Sequence, residues 1–381
     1  MRRSVTGFRG ERLSQVLDAR RLTQVQLASM IDVSPATISK WRNNQQNPDP
    51  EKLDRLAAVV NVAPEWFLRS KPESAVTPPL FRSNASALVS ARALMHARLE
   101  WAEEIAATLE EYVDFPSVDF PTFEFKDPSE ISDQDIELAA VACRTRWRLG
   151  LGPVPDVVLA IENAGGVVIR EVTGVGQIEG VSRWHEDRPF VLLCADKANA
   201  IRGRFDAAHE LGHIVLHRHI ASPAAKTMHK ELERQAHRFA AAFLLPAETF
   251  AADCPFPPTL DTLLALKSRW KASVAAMIMR LHALELIDDN EKLNLFKRLS
   301  ARFGRKAEPR DDMFLPEEPR LLRKSIELLV DSGTFRRDEI HRLFGLSAGD
   351  IHSLGGLPSG YLNAAPAVVL DLQSVRLRRA S

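Results

Sequence analysis

Residues 207–217 read "AAHELGHIVLH": two histidines four apart, a glutamate between them, and apolar residues on both flanks. A helix brings positions four apart onto one face, one turn from each other. His209 and His213 can therefore grip a single ion through two imidazole nitrogens. Glu210, one residue further round, stands beside that ion rather than on it. Gly212 keeps its side of the helix slim. A helix about to be buried has little use for three ionisable groups, so either it holds a metal or the match is accidental.

The spacing is the H-E-x-x-H pattern, in which an ion acidifies a water and the glutamate takes its proton and later hands it to the leaving amine. A catalytic zinc site needs a third protein ligand. Downstream, "KELERQAHRFAAAFLLPAETF" (230–250) is strongly helical, with Leu232, Ala236, Phe239, Ala240 and Phe243 on one stripe. Glu233 flanks that stripe, and His237 follows one turn later on the same face. The stretch between the two helices is long enough to reverse direction, so the second helix can deliver Glu233 to the ion. Glu231 reads as a solvated surface carboxylate.

Together, "RFDAAHELGHIVLH" and "ERQAHRFAAAFLLP" resemble the ImmA/IrrE family of metallopeptidases, over roughly residues 130–290. The resemblance implies a gluzincin-like, zincin-type endopeptidase, with His209, His213 and Glu233 as ligands and Glu210 as general base. It implies zinc, which two histidines and a carboxylate suit, with manganese as the alternative. His237 departs from the pattern, standing where the family usually has Asn. It could sit beside the ligands, stabilise an oxyanion or compete for the ion; the first is preferred. His217 also belongs to the family pattern and reads as a core histidine bonded to the backbone. His185, His219, His229 and His282 fit no ligand spacing and read as surface residues. "PFVLLCAD" (189–196) suits the edge strand on which an extended peptide pairs through its main chain.

The bulk numbers agree with a multi-domain globular chain: 381 residues, 45% hydrophobic, 26% charged, with 50 basic and 50 acidic side chains cancelling. Any nucleic-acid face must then come from local charge. No apolar run approaches the ~20 residues of a membrane span. "MRRSVTGFRGERL" has no apolar run behind its basic residues, which argues against a secretory signal. Cys143, Cys194 and Cys254 are far apart and fit no metal-like spacing, as expected in a reducing cytoplasm.

Residues 1–70 carry eleven Lys/Arg against seven Asp/Glu. Within them, Thr23 is placed to cap a helix with Gln26 completing a capping box, and Ser34 to cap the next with Pro35 at its first position. Ile38 and Trp41 face inward, leaving Ala36, Thr37, Ser39, Lys40 and Arg42 outward. Two helices across a tight turn, with short polar and basic residues outward, make a DNA-reading unit. "TQVQLASMIDVSPATISKW" and "LDRLAAVVNV" resemble the Xre/λ-repressor-type helix-turn-helix family, over about 60 residues. The resemblance implies that Gln24 and Asn43 touch phosphates while Pro35, Ala36, Thr37 and Lys40 approach base edges. It also implies a homodimer on two half-sites of a double-stranded operator. The family often has Glu-x-Gly after the tryptophan-like position; here the run is "RNN", which leaves the backbone contact there in doubt.

The expected fold is mostly α and multi-domain: an N-terminal five-helix-type bundle, a central α+β zincin-like domain with a small sheet, and a C-terminal helical region. Residues 1–70 form the helix-turn-helix domain, and 71–130 a linker and long helix, with 69–86 rich in Pro, Ser and Ala. Residues 131–255 form the zincin-like domain, 256–310 a helical subdomain resembling a second helix-turn-helix, and 311–381 the C-terminal helices. Two helices are expected in 317–363, followed by a basic tail, "VRLRRAS", and the region invites a packing or dimerisation role. The modules together point to a DNA-binding transcription regulator whose peptidase domain cuts a repressor protein or its own chain near 69–86. The alternatives are a metal- or ligand-sensing regulator that cuts little, and an antitoxin-like DNA binder with a partner protein. No membrane role is expected.

Overall fold

The computed structural model describes residues 4–71, 80–83, 89–176, 178–197, 199–304 and 307–363. The basic tail and the rest of the 69–86 stretch lie outside them.

Four helices, α1 (Gly10–Arg20), α2 (Gln24–Met30), α3 (Pro35–Arg42) and α4 (Pro50–Val60), and a 3-10 turn at Pro64–Leu68 form the N-terminal bundle. Their boundaries follow local chemistry. Thr23 accepts from Gln26 N–H in a capping box, Ser34 accepts from Thr37 N–H with Pro35 behind it, and Asp49 caps α4. Ile38 and Trp41 are buried among Leu13, Leu27, Leu53, Leu56 and Trp66. Each buried aromatic takes about 150–250 Å² out of water, worth a few kcal/mol.

Strand β1 (Leu80–Ser83) and the long helix α5 (Val89–Glu110) follow, then α6 (Asp133–Arg146) and α7 (Val157–Asn163). Strands β2 (Val167–Glu171), β3 (Ile178–His185) and β4 (Arg188–Cys194) complete a sheet of order β1-β3-β4-β2. The β1–β3 and β3–β4 pairs are antiparallel and β2–β4 is parallel. Alternation along the strands splits the sheet's two faces. Val167, Ile169, Val181, Phe190 and Leu192 join the core around α5, whereas Val168, Trp184, Val191 and Leu193 join that of α8 (Ala200–Leu216).

Two sequence expectations are corrected here. "PFVLLCAD" is β4, an interior strand bonded to β3 on one side and β2 on the other. Its unbroken apolar run buries both faces, the pattern of a central strand. The stretch expected as linker contains β1, which adds to the β3 edge.

Beyond α8 come α9 (Ser222–Thr227), α10 (His229–Leu244) and α11 (Ala247–Asp253), then α12 (Leu260–Trp270), α13 (Val274–Ala283) and α14 (Asp289–Phe303). Across the α12–α13 turn, expected to resemble a second helix-turn-helix, Trp270, Val274, Met277 and Ile278 share a core with Phe239 and Phe243, so this pair packs on α10. The C-terminal stretch forms three helices rather than two: α15 (Leu321–Asp331), α16 (Ile340–Phe344) and α17 (Ala348–Leu354). The extra one, α16, is a single short turn closed by Gly345 at φ 71°. No helix among the described residues is long and apolar enough to cross a membrane.

Candidate metal centre

Helix α8 starts on Asn199, whose side chain accepts from Arg202 N–H, and is sandwiched between the sheet and α10. It therefore has hardly any solvated face, and His209, Glu210 and His213 are all buried. Helix α10 crosses α8 at Gly212. A Cβ there would lie 3.1 Å from the Phe239 side chain and 3.2 Å from Ala236 Cα, so the missing side chain sets how closely the helices approach.

That approach brings three donor atoms together. His209 Nε2 and His213 Nε2 are 3.1 Å apart, and the Glu233 oxygens lie 3.5 Å from His209 Nε2 and 3.4 Å from His213 Nε2. Ligands on a tetrahedral ion with bonds of about 2.0–2.2 Å stand about 3.3 Å from one another. The donor set and its spacing thus fit zinc. His237 offers a looser alternative set with His209 and Glu233, whose ligand atoms lie within 4.8 Å of one another. Its Nδ1 donates to the Glu233 carbonyl at 2.9 Å, and its ring meets that of His209 edge-on, 4.6 Å between centroids. The tighter spacing favours His213 as ligand and leaves His237 beside the set.

The Glu210 side chain meets β3. Ser182 Oγ donates to its Oε2 at 2.6 Å, and a Cβ at Gly180 would come within 2.6 Å of its Oε1. The strand thus provides a slot that only glycine leaves open. Neither residue emerges from motif spacing; the signal is two small residues, two apart, inside an apolar strand, which marks a close approach.

His217 corrects the expectation of a backbone-bonded core histidine. Its Nδ1 lies 2.9 Å from His213 Nδ1, and its Nε2 lies 3.0 Å from Gln235 Oε1. Gln235 Nε2 donates to the Pro128 carbonyl at 2.7 Å. The amide oxygen can only accept, so His217 carries its proton on Nε2. Burial, reinforced by the neighbouring His213, holds His217 well below the ordinary imidazole range and keeps it neutral. Its Nδ1 is then an acceptor, His213 Nδ1–H donates to it, and the His213 Nε2 lone pair faces His209 and Glu233. Such a fixed tautomer is what a metal-ligating imidazole requires. Motif spacing does not single out Gln235; the sequence signal is an amide set among Leu232, Ala236 and Phe239 on the apolar face of α10.

Four other histidines expected at the surface are only partly exposed. His185 lies 3.4 Å from Glu103, His282 pairs with Asp289, His219 lies 4.0 Å from Glu124, and His229 Nδ1 lies 4.0 Å from Glu233 Oε1. Glu231 is half-exposed, with Arg234 its main partner and Gln235 a second. From His237 a cleft of about 840 Å³ opens between α8, α10, α13 and α14, lined by Phe205, Ala241, Leu244, Ala276, Met279 and Phe296.

At the other end of the chain, Pro35, Ala36, Lys40 and Asn43 are exposed along α3, while Gln24 and Thr37 are half-buried. Thr37 Oγ1 is hydrogen-bonded to Ser34 Oγ at 2.9 Å. Arg42 does not point outward as expected: it turns back to donate to Ser14 on α1.

Residues 161–282 match the model of the IrrE N-terminal-like domain of peptidase family M78, and residues 13–67 match a helix-turn-helix model. The chain joins a helix-turn-helix domain to an IrrE-like peptidase domain. No curated protein matches it. The IrrE-like match encloses α8 and α10 and hence every residue of the candidate centre except Pro128, whose carbonyl accepts from Gln235. The helix-turn-helix match encloses α2 and α3 and supports DNA binding by that end of the chain.

Proposed function

We propose that the protein is a DNA-binding transcription regulator and zinc-dependent endopeptidase that cleaves a repressor, or its own chain, to relieve repression. The observation that carries this reading is the separation of roles at α8. Three donors, His209, His213 and Glu233, converge at ligand spacing, while the fourth ionisable group, Glu210, accepts a hydrogen bond from Ser182 on the sheet.

Zinc held by those donors supplies Lewis acidity toward a peptide carbonyl. The rest falls to the chain's own residues. The Glu210 carboxylate accepts the proton of the attacking water and returns it to the departing amine. Ser182 keeps that carboxylate in one orientation. His217 and Gln235 hold the His213 ring in the tautomer that leaves Nε2 unprotonated. With Nδ1 donating to the Glu233 carbonyl, His237 can donate from Nε2 to the oxygen of the tetrahedral species only as the imidazolium, and the apolar cleft beside it suits a bulky substrate side chain. On α3, Lys40 and the small residues Ala36 and Thr37 are the base-reading positions, with Gln24 and Asn43 on phosphates and two copies of the chain on two half-sites.

A second reading, a regulator that senses metal and cuts little, is favoured by the ion pairs Arg12–Glu104 and Arg20–Asp350, which tie the N-terminal bundle to α5 and α17. Metal content and hydrolysis measured on the same samples separate the two. Glu233→Ala is expected to lower zinc stoichiometry well below one per chain. Glu210→Gln is expected to retain full zinc and lose hydrolysis of a repressor substrate by at least ~100-fold. Wild-type cutting by the Gln variant would eliminate Glu210 as the base; zinc retained without any cutting by the wild type would favour the sensor.

A further inference from the structure

We propose that strand β1, residues 80–83 of the chain itself, occupies the lane along the β3 edge that an extended peptide substrate needs, so that the resting protein blocks its own metal centre. This rests on the peptidase reading and names the first occupant of that site. The sheet order leaves β3 as the strand next to the reactive helix whose outer side is open to a further strand, and β1 fills it. Position 80 stands opposite Ser182 and position 82 opposite Gly180. Those are the two β3 residues that meet Glu210: Ser182 by its hydrogen bond, Gly180 by the slot a Cβ would close. Paired strands lie about 4.8 Å apart. The backbone of residues 80–82 therefore runs one strand spacing from the residues that position the general base.

Strand addition recognises main chain rather than sequence, so a substrate and β1 compete for the same hydrogen bonds. The pairing is antiparallel, only four residues long, and its register shifts between Arg82 and Ser83. So short a strand is held weakly by itself. Its strength comes from its tether. The chain before it is anchored where Arg12 donates to the Ser70 carbonyl at 2.7 Å, and the chain after it enters α5. A tethered segment acts at an effective concentration of about 1 mM. A free peptide of micromolar to millimolar affinity is thereby excluded until β1 is displaced, and the segment joins the DNA-binding bundle to the peptidase domain.

The test uses the full chain with residues 80–83 replaced by Gly-Ser-Gly-Ser, a second variant Phe81→Pro, and a fluorescein-labelled peptide of sequence PPLFRSNA, residues 78–85, as probe. Both variants are expected to bind the probe at least ~10-fold more tightly than wild type, by anisotropy, with zinc-loaded and with metal-free protein. Backbone amides of residues 178–182 should exchange faster in the variants and slow again when probe is added. Equal probe affinity in all three proteins, or unchanged exchange at 178–182, overturns the proposal. Zinc uptake by the same samples reports on the peptidase reading independently. Lost uptake with the affinity difference intact removes the peptidase and keeps the occupied edge; normal uptake with no difference does the reverse.

Discussion

At the scale of single residues, the candidate centre depends on groups that do not touch the ion's position. The line from His213 through His217 to Gln235 and the Pro128 carbonyl fixes one proton on each ring. Gln235→Leu removes the acceptor that holds His217 and frees its tautomer. Zinc affinity is expected to fall 10–100-fold, the usual cost of losing an outer partner, with the fold intact; competition against a zinc chelator measures it. Elsewhere, Glu162 on α7 is buried and accepts from the N–H groups of Arg320 and Leu321 at the start of α15. Burial pushes its carboxyl up to about 7, more than those two hydrogen bonds and Arg320 pull it down. A carboxyl raised in the fold binds more protons folded than unfolded between its two pKa values, so stability falls as pH rises through that window, from about 4.5 to about 7. The loss is expected to reach roughly 1–3 kcal/mol. Glu162→Gln keeps an oxygen for the two N–H groups and should flatten the slope, as read from urea midpoints at pH 5, 6 and 7.5.

At the scale of elements, two helix pairs build the two candidate sites. The α8–α10 pair is held close by Gly212, and that closeness lets a residue twenty positions beyond His213 reach the same point in space. The α2–α3 pair is set by its caps and by the buried Ile38 and Trp41, which leave the α3 outer face to solvent. Among the described residues Lys40 on that exposed face pairs with no acid, and it is placed to meet a phosphate or a base edge. Lys40→Ala is expected to weaken operator binding by about 1–2 kcal/mol, roughly tenfold, with zinc content unchanged. A gel shift at fixed ionic strength checks it, since the phosphate contribution varies steeply with salt.

At the scale of the whole molecule, the N-terminal bundle is docked rather than loosely strung. Helix α1 lies on α5, where Arg12 pairs with Glu104 and Gln15 donates to Glu100, and Trp66 meets Trp101 edge-on. Asp350 of α17 accepts from Arg20 of α1 at 2.7 Å and from Arg98 of α5 at 2.6 Å. Arg98 also binds Glu171 at the end of β2, which accepts from Ser353. Burial pushes Asp350 up, but the two guanidinium groups outweigh it and bring it down to about 2. Its contribution is present above the unfolded carboxyl range and lost as pH falls toward 2. This cluster joins bundle, long helix, sheet and C-terminal helices in one buried network. Arg98→Ala leaves two buried carboxylates without their shared partner and is expected to cost about 3–5 kcal/mol. Limited proteolysis should then cut between bundle and peptidase domain far faster than in wild type. A rate equal to wild type would mean the bundle is held by its apolar contacts alone.

The modules and much of the centre were legible in the chain. Short-range chemistry decides a cap, a turn or two ligands one helical turn apart, so Thr23, Ser34, His209, Glu210 and His213 could be placed by spacing alone. Glu233 was within reach because an amphipathic helix declares its inner face. Whatever depends on pairing across distance was not. A strand's neighbours are not written in its own residues, so from sequence alone β4 reads as an edge and β1 as linker. The slot around Glu210, the Gln235–His217–His213 line and the Arg20–Asp350–Arg98–Glu171 network join residues up to 330 positions apart. Only tertiary packing brings such groups within hydrogen-bond range, and burial then makes each unpaired partner too costly to leave alone.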